Sequence, residues 1–278
     1  RLQGPGSVVW PTAAPSSGGR RRAAHMAEPE AQDEEEAMWW PWRASQVARL
    51  QGATPARGWA VLVTTGAMNP AHRGHVELVR VAAARLEEVG YGALAAYVSP
   101  THDGYVQPKT KRMGTVGLCN EFRAEVAQRT VGDDDPLVMV SRFEVSQQRF
   151  VDFPEVCIVL KRHLQSKGIP ARIFYACGTD HASRCGLTKG MRSNIGLVVV
   201  PRAGDRLPGE IDDTVYVSEP TPGEVAAFSS TVVRKAIAAK DEAYLARALA
   251  PAAAELLLRP TPEEEAKFAA DFQKLRAS

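Results

Sequence analysis

A chain of 278 residues, 45% hydrophobic and 24% charged, is long enough to bury one sizeable α/β core and too apolar to be a disordered polyelectrolyte. Its 34 basic and 32 acidic residues leave a formal net charge of +2, which argues against a surface built to coat a polynucleotide. No stretch is apolar over the length that spans a bilayer, so no membrane partner is expected.

In chain order, residues 1–58 read as a disordered or loosely docked extension. Gly4 to Ala24 is rich in Gly, Pro, Ser and Ala and ends in Arg20-Arg21-Arg22, and Met26 is a candidate natural start. The acidic run Asp33-Glu34-Glu35-Glu36 then precedes Trp39-Trp40-Pro41-Trp42, which reads as an anchoring aromatic cluster beside a solvated tail.

From residue 59 the pattern alternates between strand and helix. Strands are expected at 59–65, 93–99, 137–145, 171–177, 195–200 and 214–217; helices are expected at 74–89 and 154–166, and 111–130 is expected to be mostly helix. The tail from Ser229 reads as helices broken near Pro251 and Pro260. Short apolar runs alternating with helices predict a doubly wound parallel sheet with C-terminal helices, residues 59–278 forming one domain. Ligands of such sheets gather at the carboxyl ends of the strands.

The most informative segment stands at such an end. Gly66-Ala67-Met68-Asn69-Pro70-Ala71-His72-Arg73-Gly74-His75 joins the apolar run Ala60-Val61-Leu62-Val63 to a helical pattern. Gly66 permits close backbone approach, and the free N–H groups at the helix start attract anions. His72 and His75, three apart across the junction, can present imidazoles to one side, and no third ligand accompanies them to make a metal site. Phe228-Ser229-Ser230-Thr231-Val232-Val233-Arg234 is a second anion signal: Ser and Thr at a helix start expose donors, and Arg234 falls one turn later. Together the two turns predict a clamp on a triphosphate.

Three further strand ends carry polar groups. Gly178-Thr179-Asp180-His181 places a carboxylate where ribose hydroxyls bind. Ser99-Pro100-Thr101-His102-Asp103-Gly104-Tyr105 is followed by Lys109, Lys111 and Arg112, and Val200-Pro201-Arg202-Ala203-Gly204-Asp205 offers Arg202 to a nucleotide. The cysteines Cys119, Cys157, Cys177 and Cys185 lack CxxC spacing and read as reduced thiols of an intracellular protein, cytoplasmic or nuclear.

In this order and at these strand ends, GAMNPAHRGH, SPTHDGY, GTD, PRAGD and SSTVVR resemble the eukaryotic-type nicotinamide/nicotinate mononucleotide adenylyltransferases, over roughly residues 60–258. The resemblance implies a Rossmann-like nucleotidyltransferase fold. It also implies transfer of an adenylyl group from ATP, with Mg2+, to nicotinamide or nicotinate mononucleotide, releasing pyrophosphate. Carried over by position, Gly66, Ala67 and Met68 approach the nucleotides, His75 (with His72) meets the ATP phosphates, and Gly178 and Asp180 hold the adenylate ribose. Ser229, Ser230, Thr231 and Arg234 grip the departing phosphates, while Tyr105 and a following lysine face the mononucleotide. The chain departs from the family where Gln107 stands in place of its usual lysine, which leaves Lys109 or Lys111 to substitute. No tryptophan lies within the core to stack on the pyridine ring, so Phe143 is the candidate replacement. The stretch between Asp180 and Asn194 is also shorter than usual. Another adenylyl- or cytidylyltransferase of the superfamily, or a catalytically silent nucleotide-binding sensor or chaperone, stays open, as does a homo-oligomeric state.

Overall fold

The computed structural model describes residues 39–277. Six parallel strands form one sheet: β1 (Trp59–Gly66), β2 (Gly92–Pro100), β3 (Val138–Val140), β4 (Ala171–Gly178), β5 (Gly196–Val200) and β6 (Val215–Val217), in the order β3-β2-β1-β4-β5-β6. The order reverses between β1 and β4, which pair from Trp59↔Ala171 to Val63↔Tyr175. This is the switch point at which a doubly wound sheet opens a crevice.

Side chains of β1 alternate between the two faces. Val61 and Val63 point into a core with Tyr97, Tyr175 and Leu160, whereas Ala60 and Leu62 meet Val79, Ala83 and Leu86. The first face is covered by α6 (Phe153–Ser166) and the second by α2 (Arg73–Glu88) and α4 (Asn120–Val131). Burial on both faces explains why the strands read as unbroken apolar runs. A third core joins Phe122 and Val126 of α4 to the C-terminal helices α8 (Ser230–Ala239), α9 (Glu242–Ala248), α10 (Pro251–Leu258), α11 (Pro262–Lys267) and α12 (Ala269–Arg276).

The structure refines four of these expectations. The stretch 111–130 is mostly helix, as expected, but its helical residues belong to two helices, α3 (Asp103–Arg112) and α4, with 113–119 between them. Asn69 holds that connection open by donating to the Val116 carbonyl at 2.6 Å and accepting the Leu118 N–H at 3.0 Å. The strand expected over 137–145 ends at Val140; Ser141 Oγ accepts the Phe143 N–H at 3.2 Å, and the chain turns into the single-turn helix α5 (Phe143–Ser146). The tail breaks first at Lys240, in a left-handed conformation with φ 54°, before the break at Pro251. Finally, packing reaches back before residue 59, to the aromatic cluster expected to act as an anchor. Trp40 is fully buried, stacked on Phe143 at 5.6 Å and edge-on to Tyr97 at 5.2 Å. Tyr97 Oη donates to the Pro41 carbonyl at 3.0 Å, and the helix α1 (Ala44–Leu50) follows. Residues 39–58 are thus a docked edge of the core, while the basic and acidic runs before Trp39 lie outside the described residues.

Candidate active site

The loop leaving β1 is held by side chains from elsewhere. Its Asn69–Pro70 peptide is cis and Met68 takes φ 42°, with the Met68 side chain sunk in the core. Arg123, fully buried on α4, donates to the carbonyls of Ala67 (2.8 Å), Thr101 (2.6 Å) and Leu118 (3.1 Å) and to Asp103 Oδ1 (2.8 Å). One guanidinium thus joins the first loop to the segment after β2. Burial lowers the pKa of Arg123, and Asp103 opposes that by favouring the charge.

At the start of α2 the two imidazoles form a reciprocal cap. His72 Nδ1 accepts the Gly74 N–H at 3.1 Å, and His75 Nδ1 accepts the His72 N–H at 3.1 Å, with ring centroids 3.9 Å apart. A side chain on Gly74 would place its Cβ 2.9 Å from His72 Cε1, so glycine there preserves the cap. Burial pushes His72 down to about 2, assisted by His75 and Arg202, and pushes His75 down to about 4. Both rings are therefore neutral near pH 7. With each Nδ1 engaged as acceptor, the ring proton sits on Nε2, which becomes a fixed donor.

The SSTVVR turn docks against this loop. Ser229 Oγ caps α8 by accepting the Val232 N–H at 3.2 Å, Ser230 Oγ donates to the Pro70 carbonyl at 2.8 Å, and Arg234 Nη1 donates to the Asn69 carbonyl at 2.6 Å. The two anion-binding turns do converge, as the sequence predicts, but Arg234 does not oppose the imidazoles across a cleft. It is buried, lines neither cavity described below, and serves as a strut under the first loop. Thr231 also lies outside both cavities, its Oγ1 3.5 Å from Arg234 Nη2.

Two cavities open at the switch point. The first, about 350 Å³, is lined by His72 and His75, by Gly178 at the end of β4 and Asp180 beyond it, by Arg202 after β5, and by Ser229 and Ser230. The second, about 240 Å³, is lined by Gly66, Ala67, Thr101, Tyr105, Lys109, Glu144, Phe150 and Phe153. His181 and Arg184 of the short helix α7 (Thr179–Arg184) line both. Tyr105 stacks on Phe150 at 5.3 Å, and Lys109 Nζ sits 5.3 Å from the Tyr105 ring centroid.

Gln107 is engaged structurally, donating to the Leu118 carbonyl at 3.1 Å, and Lys109, not Lys111, reaches the cavity. The expected role of Phe143 needs correcting: it is buried under Trp39 and Trp40 and lines neither cavity. Tyr105, Phe150 and Phe153 supply the aromatic faces instead. Phe150, Phe153, His181, Arg184 and Glu144 were missed in the sequence. Glu144 follows Phe143 by one residue, yet it turns toward the cavity and accepts from Ser99 Oγ at 2.8 Å, and burial raises its pKa to about 8. Among the described residues no group of three His, Cys, Asp or Glu side chains could hold a metal ion, and no helix is long and apolar enough to cross a membrane.

Comparison with known proteins finds no matching family model. The chain is 30% identical over 129 residues, 45% of its own length and 48% of the other, to a rice protein named nicotinamide/nicotinic acid mononucleotide adenylyltransferase. It is 28% identical over 126 residues, 43% and 49% of the two lengths, to an Arabidopsis thaliana protein of the same name. The matched segment spans about half the length of these curated relatives. Among solved structures, Plasmodium falciparum nicotinic acid mononucleotide adenylyltransferase complexed with NaAD aligns with a TM-score of 0.47 at 11% identity, covering 75% of this chain and 95% of that one.

Proposed function

We propose that this chain is an adenylyltransferase that joins ATP to nicotinamide mononucleotide, or to its acid form, giving the dinucleotide and pyrophosphate. The observation that carries the reading is the pair of adjoining cavities at the β1/β4 switch point. One is walled by two helix N-termini and suits a polyanion; the other, with stacked aromatics and Lys109, suits a nucleotide bearing a flat ring. The names of the two plant relatives support the choice of substrates.

In this reading ATP occupies the first cavity with its ribose near Asp180 and its phosphates against the N-termini of α2 and α8. The mononucleotide occupies the second. A 5′-phosphate oxygen attacks the α-phosphorus of ATP; the new P–O bond forms as the bond to the bridging oxygen breaks, and that electron pair leaves on pyrophosphate. The attacking phosphate is already ionised near neutral pH, so no side chain has to remove a proton. Catalysis then rests on positioning and on donors aimed at the charge that moves onto pyrophosphate. The neutral imidazoles of His72 and His75 fit that role, because each has a free Nε2–H and gains nothing by giving the proton away.

Mg2+, which this reading implies, would enter with the triphosphate in the first cavity, beside His72, His75, Ser229 and Ser230. Bound there, it would neutralise charge on the departing pyrophosphate. Incubating the protein with ATP, Mg2+ and each mononucleotide in turn tests the proposal. A dinucleotide should form with at least one of the two; use of CTP in preference to ATP, or no product with either mononucleotide, would reject it.

A further inference from the structure

The two cavities meet at one wall. Among the described residues, His181 and Arg184 are the two that border both. They stand three apart on α7 and so face the same side. Arg184 is exposed and has no ion-pair partner among the described residues. His181 is held in place by its Nε2, 3.3 Å from Tyr175 Oη, which lies 3.0 Å from Thr65 Oγ1 on the floor of the second cavity. Phe153 packs edge-on against the imidazole at 5.2 Å. Lys109 and Asp152, both in the second cavity, are the other charged groups near the ring.

Any reaction that joins a phosphate in one cavity to a phosphate in the other takes place at this wall. Two phosphate anions approaching to bonding distance repel each other, and a cation between them removes much of that cost. A planar guanidinium is suited to the task, since it can donate to oxygens of both groups.

We infer that Arg184 is a catalytic residue that grips the attacking 5′-phosphate of the mononucleotide where the cavities join, with His181 as a second donor through Nδ1–H, in the tautomer whose Nε2 accepts from the Tyr175 hydroxyl. This inference rests on the adenylyltransferase reading. Neither side chain moves a proton in the step: the phosphate oxygen bonds to the α-phosphorus of ATP, and pyrophosphate departs with the electron pair of the broken bond. The role belongs to the GTDHASR stretch, which the strand-end motifs had assigned only to ribose binding.

The test compares equilibrium binding of nicotinamide mononucleotide with binding of its riboside, which lacks the phosphate. Arg184→Ala should weaken mononucleotide binding about tenfold or more, leave riboside binding within about twofold, and lower dinucleotide turnover on the order of 100-fold. Arg184→Lys, which keeps the charge without the fork, should recover part of the mononucleotide affinity. His181→Phe, which keeps a ring but removes its donors, should weaken the mononucleotide alone by about threefold. Equal effects of Arg184→Ala on mononucleotide and riboside, no effect on either, or no mononucleotide binding by the unmodified chain would overturn the assignment. If the chain binds the mononucleotide with the expected pattern yet makes no dinucleotide, the adenylyltransferase reading fails while the phosphate contact stands.

Discussion

Arg234 Nη1 donates to the Asn69 carbonyl at 2.6 Å, and this bond makes the turn at the start of α8 and the loop after β1 a single unit. Ser230 adds a second tie to the Pro70 carbonyl. Both turns therefore keep their positions relative to the first cavity without a ligand. Burial lowers the Arg234 pKa, so the cation depends on the carbonyls of Asn69 and Ser230 for its solvation.

Replacing Arg234 should loosen the phosphate cavity and the fold together. Arg234→Ala is expected to lower kcat/KM for ATP by about 100-fold or more and to cost about 2 kcal/mol of stability, the range for losing hydrogen bonds to a charged group. Arg234→Lys should regain little, because one ammonium cannot span the two turns as a guanidinium does. Steady-state kinetics and denaturant midpoints report the two effects separately.

The Arg123–Asp103 pair should behave differently. Among the described residues Asp103 is the one carboxylate ion-paired with the fully buried guanidinium of Arg123, so Asp103→Asn leaves a buried charge partly uncompensated. A loss on the order of 3 kcal/mol is expected in urea titration. Because Arg123 also holds Ala67 and Thr101, the KM for the mononucleotide should rise in the same variant.

Lys109 and Lys111 separate by position. Lys109 lies over Tyr105 in the second cavity, whereas Lys111 does not line it. Lys109→Ala should raise the mononucleotide KM by about tenfold, and Lys111→Ala should leave it unchanged. Equal effects from the two would show that the cavity does not hold the mononucleotide phosphate.

Stability should peak near pH 6.5. His72 and His75, lowered to about 2 and about 4 from the ordinary 6.5, take up protons more readily in the unfolded chain. Their contribution is complete above about pH 6.5 and is lost as the pH falls, at about 1.4 kcal/mol per pH unit for each ring. His181, also lowered, acts in the same direction. Glu144 has the opposite sign: raised to about 8 from 4.5, it holds its proton more tightly when folded, so its contribution is complete below pH 4.5 and declines up to about pH 8. Above pH 6.5 the Glu144 decline should be visible by itself, and Glu144→Gln should flatten it in unfolding curves taken from pH 5 to 9.

The parts of the fold that were legible in the sequence are those set by local pattern. Ala60 to Val63 read as a doubly covered strand because both of its faces are apolar, and the helix start at Arg73 is marked by the histidine cap and Gly74. Contacts between distant segments were not legible. The break between α3 and α4 depends on Asn69, some 47 residues earlier, and nothing in the periodicity of 111–130 records it. Phe143 looks like a candidate for a ligand-stacking ring, yet it is spent on Trp40 of the anchoring cluster, which only their pairing in space reveals. Arg234 was recognised as belonging to the phosphate turn, but whether its fork faces a ligand or a carbonyl depends on where the first loop lies. His181 and Arg184 carried no signal as a pair because their meaning comes from a wall shared by two cavities.

The most direct measurement follows the α-phosphorus of ATP. With ATP labelled at that position, Mg2+ and a nicotinamide or nicotinate mononucleotide, the label should move into a dinucleotide in one-to-one yield with unlabelled pyrophosphate, and none should remain on the protein. Label that stays in ATP with both mononucleotides present, or that becomes attached to the enzyme, would contradict direct transfer between two adjoining cavities.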